Sequence, residues 1–176
     1  MLAVHPSVAA SDVKEFIALA KASPGKLSYA SAGRGTPAHL AGELFRLAFG
    51  VDIIHVPFTG GGPAMTATLG GHTSCVVSAL PTGAPYAKAG NVRALAMISA
   101  KRSSLLPDVL TMGEATGVEL EADIVTGLVA PPEFKERLLA LGFDPVASTP
   151  EHFAQWLRLE IAKWAKVIRD GNIGVQ

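Results

Sequence analysis

Residues Tyr29 to Leu44 read YASAGRGTPAHLAGEL, and the fold turns on how this stretch is understood. Its order is a strand end, a tight loop of small residues, and then a helix. Gly33 and Gly35 permit backbone geometry that a side chain hinders. Thr36 suits an N-cap, and Pro37 follows at a first helical position, where a missing N–H costs nothing. Such a helix start offers unpaired backbone N–H groups and the positive end of the helix dipole, which suits an anion. Phe58 to Thr66, FTGGGPAMT, repeats the design: Gly60, Gly61 and Gly62 lead into Pro63, again expected as a first helical residue. Two Gly-rich helix starts after consecutive strands predict one concave site for a small carboxylated ligand.

Working outward from this stretch, Ser11 is expected to cap a first helix whose Val13, Phe16, Ile17 and Ala20 keep helical spacing, with Ser23-Pro24-Gly25 ending it. Strands are predicted over Lys26–Ala30, Asp52–Pro57, His72–Leu80 and Val92–Ser99. Helices are predicted over Pro37–Phe49, with Leu40, Leu44, Leu47 and Ala48 on one apolar side, over Pro63–Leu69, and as a turn and short helix over Pro81–Ala89. Strands alternating with helices imply βαβ units and a mainly parallel sheet flanked by helices on both faces. Thr111-Met112-Gly113-Glu114 fits a capping box before a short helix, and Ala122–Val129 reads as a further apolar strand. Ser148-Thr149-Pro150-Glu151 opens a final helix with Phe153, Trp156, Leu157, Ile161, Trp164 and Ile168 in one stripe. That stripe is expected to dock on the sheet; the alternative is that it packs against a segment from elsewhere or a second chain.

Composition narrows the function classes. At 176 residues, with 49% hydrophobic and only 17% charged residues, the chain can bury one good core and is not disordered. Formal net charge is zero and no Lys/Arg run occurs, so nucleic acid and direct membrane insertion or attraction are poor partner expectations. No apolar segment approaches the ~20 residues of a membrane span, and MLAVHPSVAASD shows no signal peptide. The single cysteine, Cys75, makes neither an internal disulfide nor a zinc site and is expected to be a buried, inert thiol. His5, His72 and His152 read as loop or surface residues, and no metal-ligand spacing appears. No cofactor and no metal are expected.

The donors for an anion follow from the two loops. The first supplies the Ser31 and Thr36 hydroxyls with the N–H groups of Gly35, Ala38 and His39. The second supplies N–H groups around Gly60, Gly61, Gly62 and Ala64, with the Thr59 and Thr66 hydroxyls nearby. Neutral donors would let ligand leave easily, as a delivery protein requires. The alternative is that these glycines and prolines only make tight turns. Arg34 is expected to be solvated, with bidentate pairing to a carboxylate as the alternative. His39, in the first helical turn, either packs and caps locally or contacts ligand directly or through water; His55 is expected to be structural. Enzymatic chemistry is not expected. No G-x-S-x-G surrounds a serine, FTGGGPA lacks the Gly-Lys-Ser/Thr ending of a phosphate loop, and Gly33-Arg34-Gly35 does not continue into a dinucleotide fingerprint.

The chain resembles the substrate-binding proteins of tripartite tricarboxylate transporters, the Bug-type solute receptors. The resemblance is carried by VHPSV (Val4–Val8), KLSYASAGRGTPAHLAGELF (Lys26–Phe45), VDIIHVPFTGGGPAMT (Val51–Thr66), KAGNVRALAMISAKRSSLLPDV (Lys88–Val109) and IAKWAKVIRDGNI (Ile161–Ile173), across nearly the whole length. It implies a type II periplasmic-binding-protein-like α/β fold, with one nearly complete domain plus part of a second. On that reading residues 1–121 resemble the second, ligand-binding domain, and 122–176 are the crossover strand and C-terminal helices belonging to the incomplete first domain. The resemblance further implies a shortened N-terminus before VHPSV and a helix lost before FKERLLALG (Phe134–Gly142). The function implied is a periplasmic receptor that captures a small organic acid and passes it to a membrane permease. Relatives often carry an acidic pair in the third strand where this chain has Ser74 and Ser78, which favours plain carboxylates over amino acids, provided Ser78 reaches the cleft. The alternatives are a ligand-sensing module for a signalling partner, or a non-binding remnant that self-associates through an exposed face.

Overall fold

The computed structural model describes residues 1–122, 134–140 and 149–174. Five strands form one sheet: β1 (Leu2–Val4), β2 (Ser28–Ser31), β3 (Ile54–Pro57), β4 (Cys75–Val77) and β5 (Arg93–Ala96), in the order β3-β2-β4-β1-β5. β2 pairs in parallel with both β3 and β4, as βαβ connections require. β1 lies between β4 and β5 and runs antiparallel to both, so the sheet is mixed. This strand, the start of the VHPSV stretch, is invisible to periodicity because three residues are too few to show a pattern. The remaining strands are shorter than expected, since each ladder ends where its neighbour does.

Alternation along the strands sorts the core into two layers. Leu2, Val4, Tyr29, Cys75 and Val77 face one side with Val13, Phe16, Phe45 and Met112. Ala3, Ala30 and Val76 face the other, with Ala64, Met65 and Met97. A period of two places neighbours on opposite faces, and helices then cover both. The first layer is covered by α1 (Val13–Ala22), α2 (Pro37–Phe49) and the short α5 (Met112–Thr116). α3 (Gly61–Leu69) lies on the second with α4 (Leu80–Lys88) packed beside it. Cys75 is wholly buried, and burial pushes its thiol pKa up, in keeping with an inert side chain.

Local signals set the helix ends. The cap of α1 is Asp12 rather than Ser11: the Asp12 carboxylate accepts from the Glu15 N–H at 2.8 Å, while Glu15 accepts from the Ser11 N–H and hydroxyl at 2.7 Å. Thr111 and Glu114 form both bonds of the capping box, at 3.1 and 2.9 Å. α2 starts on Thr36 and ends at Gly50, which takes the left-handed conformation, φ 61°. Its buried face is not the expected one. Ala41, Gly42 and Phe45 are buried, whereas Leu47 is 44% exposed and Ala48 is exposed too. Gly42 decides this: a Cβ there would overlap the Tyr29 ring, so the helix presents its one bare position to the largest side chain of β2.

α6 (Phe134–Ala140) and α7 (Pro150–Asp170) complete the described elements. α7 is capped by Thr149, and its C-terminal end meets α2 with Val167 buried. Of the expected stripe, Phe153, Leu157 and Ile161 remain exposed, Ile161 by 61%, so the docking expected of it holds only toward the C-terminus. The strand predicted over Ala122–Val129 lies outside the described residues beyond Ala122.

Candidate functional site

Because β3, β2 and β4 run parallel as neighbours, the helices that follow them all begin at one sheet end. α2 leaves β2 toward one face and α3 leaves β3 toward the other. A crevice opens where connections diverge in this way, outside the carboxyl ends of the strands. The two Gly-rich loops meet there: a Cβ on Gly33 would stand 3.2 Å from the Phe58 carbonyl oxygen, and the Phe58 N–H donates to the Ser31 carbonyl at 3.0 Å. A third start adjoins them. A Cβ on Gly61 would stand 3.7 Å from the Thr82 side chain, in the first turn of α4. The sequence signal for this third start was Pro81 alone.

Which donors remain free is a tertiary result. In the first loop most are spent on the loop itself. The Gly33 N–H donates to the Ser31 hydroxyl at 3.2 Å, and the Thr36 hydroxyl donates to the Gly33 carbonyl at 2.7 Å. The Gly35 N–H donates to His39 Nδ1 at 3.0 Å, and the His39 N–H to the Thr36 hydroxyl at 3.4 Å. Ser31 is fully buried, with its hydroxyl 2.7 Å from His55 Nε2. Gly35, at φ 71°, tolerates this geometry because it has no side chain. Ser31, Gly35, Thr36 and His39 therefore shape the first loop, and the Ala38 N–H, second in the helix, stays unpaired among the described residues.

The second loop is the reverse. α3 begins at Gly61, capped by Gly60 at φ 153° with no side-chain cap, so Pro63 is third in the helix rather than first. The N–H groups of Gly61 and Gly62 have no intrahelical partner, and Thr59 is exposed beside them. The Ala64 N–H, expected as a ligand donor, is instead spent on the Gly60 carbonyl at 3.2 Å, the first bond of the helix. Ser78 lies at the end of β4, 6% exposed, and its hydroxyl donates to the Ala79 carbonyl at 3.0 Å.

Beneath the first loop lies a stack that periodicity could not reveal. The rings of His39 and His55 are 3.9 Å apart at 12°, and His55 stacks on Tyr29 at 4.7 Å. Tyr29 donates to Glu43 at 2.6 Å, and Glu43 pairs with Arg46 at 2.7 Å. Because His39 Nδ1 accepts from Gly35, its proton sits on Nε2 and the ring is neutral. Burial lowers the His39 pKa, and burial with the neighbouring His39 and Arg34 pulls His55 down to about 4. Burial, then the Glu43 bond, pushes the Tyr29 phenol well up. No cluster able to hold a metal ion occurs among the described residues. None of their helices is long and apolar enough to cross a membrane.

Residues 1–140 match TctC, the tripartite tricarboxylate transporter family receptor. The chain belongs to this family. Protein BugT of Bordetella pertussis is 30% identical over 191 aligned positions, covering 97% of this chain and 59% of BugT. Among solved structures, R. palustris Rpa4515 with adipate superposes with a TM-score of 0.86 at 27% identity, covering 99% of this chain and 65% of that one. The periplasmic binding protein BugD gives 0.80 at 26% identity, with 99% and 66% covered. This TctC chain thus spans less than two thirds of these proteins while adopting their mixed, helix-flanked fold. The family is one of transporter receptors.

Proposed function

We propose that this chain carries the carboxylate-gripping part of a periplasmic solute receptor, which captures a small organic acid and hands it to the membrane permease of a tripartite transporter. The observation that carries this is the adjacency of the two Gly-rich helix starts at one sheet end, where the N–H groups of Gly61, Gly62 and Ala38 have no intrahelical partner. Backbone donors and helix dipoles recognise a carboxylate without committing a charged side chain, and they involve no covalent step. Ser31, Gly35, Thr36, His39 and Gly60 act on the ligand mainly by fixing the loops that present those donors, and the exposed Thr59 hydroxyl adds a further donor beside the second loop. Adipate in the Rpa4515 neighbour is consistent with this ligand class.

Residues 1–121 act as one ligand-binding unit, and 122–176 return toward a second. Closure of the two around ligand is the state a permease would read. A thermal-shift panel of aliphatic and aromatic carboxylates tests the reading. A ligand at a hundred times its Kd adds about 2.7 kcal/mol to stability, and Gly61→Val should abolish the shift while leaving a cooperative melt. If no carboxylate shifts the melt, the reading fails.

A further inference from the structure

We propose that Arg34 is the specificity-determining residue of the carboxylate crevice: its guanidinium takes a second anionic group on the ligand, so that dianionic acids are held in preference to monoanions. This rests on the carboxylate reading above and deepens it. Three observations carry it. First, the donors of the first loop are committed internally through Ser31, Gly33, Gly35, Thr36 and His39, so the guanidinium is the strong donor that loop has left. Second, Arg34 is exposed and has no ion pair or hydrogen bond among the described residues, between two glycines whose loop abuts the Phe58 carbonyl at the start of the second loop.

Third, the local charges favour an anion. The charged groups that act on the stacked imidazoles are Arg34 from the loop and Arg46 and Glu43 from α2, with Tyr29 of β2 stacked on His55. Glu43 is already bound by Tyr29 and Arg46, and both imidazoles are neutral, which leaves Arg34 as the unpaired cation of the first loop among the described residues. The backbone donors of the second loop then take one carboxylate and the planar guanidinium fork the other, bidentately.

The test is calorimetric titration of the 176-residue chain and its Arg34→Gln and Arg34→Lys variants with chain-matched pairs: succinate against butyrate, and adipate against hexanoate. The wild type should prefer the diacid of a pair by about tenfold or more, and that preference should shrink as salt rises. Arg34→Gln should erase the preference while changing monoacid affinity less than about threefold, and Arg34→Lys should restore part of it, since charge returns without the fork. Equal diacid binding by wild type and Arg34→Gln overturns the role of Arg34 and leaves the carboxylate site standing. Absence of binding by all four acids overturns both.

Discussion

His39 and His55 lie face to face, centroids 3.9 Å apart, each tied by one nitrogen to the loop that begins α2. The pair works as a floor for that loop only while it is uncharged. Protonating His39 at Nδ1 removes the acceptor of the Gly35 N–H, and protonating both rings sets like charges against each other.

A pH dependence follows from this. In the unfolded chain His55 titrates near 6.5, whereas in the fold it binds a proton only near pH 4. Stability is therefore complete above about pH 6.5 and declines as pH falls toward 4, because the unfolded state takes up the proton first. Allowing for the half-buried ring, the loss is about 1–3 kcal/mol. Urea melts from pH 4 to 8 should show that slope, and His55→Asn should flatten it. An unchanged slope in the variant would refute the assignment.

Gly42 faces the Tyr29 ring without a side chain. Gly42→Ala gains about 1 kcal/mol of helix propensity, but a Cβ standing 2.3 Å from a wholly buried ring puts the cost of forcing it aside at about 3 kcal/mol, so the net change is destabilising by about 2 kcal/mol. Thermal melts measure it, with Tyr29→Leu in the same chain expected to relieve most of the loss. A Gly42→Ala protein as stable as wild type would mean that α2 does not dock through this face.

Glu43 is 4% exposed and is held by Tyr29 and Arg46 together. Glu43→Ala leaves the Tyr29 hydroxyl without its main acceptor and Arg46 without its nearer carboxylate, at an expected cost of about 2–4 kcal/mol. Glu43→Gln keeps an acceptor and should cost less. Equilibrium denaturation of both variants decides between a network and a bystander: equal effects would point away from the network.

Along α7, Phe153, Leu157 and Ile161 share one face and are 38%, 43% and 61% exposed. Uncovered apolar surface of this kind promotes association. Sedimentation velocity at rising concentration should show larger species, and Leu157→Glu with Ile161→Glu should return the monomer. A monomer at every concentration would show that the face stays free.

Capping is local, and so the sequence alone determined where the helices capped by threonine begin. Thr36, Thr111 and Thr149 each bond an N–H three residues on, a relationship visible in a short string. The same local logic placed the start of α3 two residues too late, because Gly60 rather than Gly62 caps the helix and Pro63 is third in it. The family resemblance was legible for a related reason: the two Gly-rich loops are contiguous stretches.

Only the tertiary structure decided what those stretches do. Strand order, the insertion of β1 against the grain of the sheet, and the face by which α2 docks all rest on contacts between residues far apart in the chain. The same holds for the donors. A backbone N–H at a helix start looks free in sequence, yet it is free in space only if no neighbour accepts it. Here His39 Nδ1 and the Ser31 hydroxyl accept in the first loop, whereas Gly61 and Gly62 are left to whatever enters the crevice.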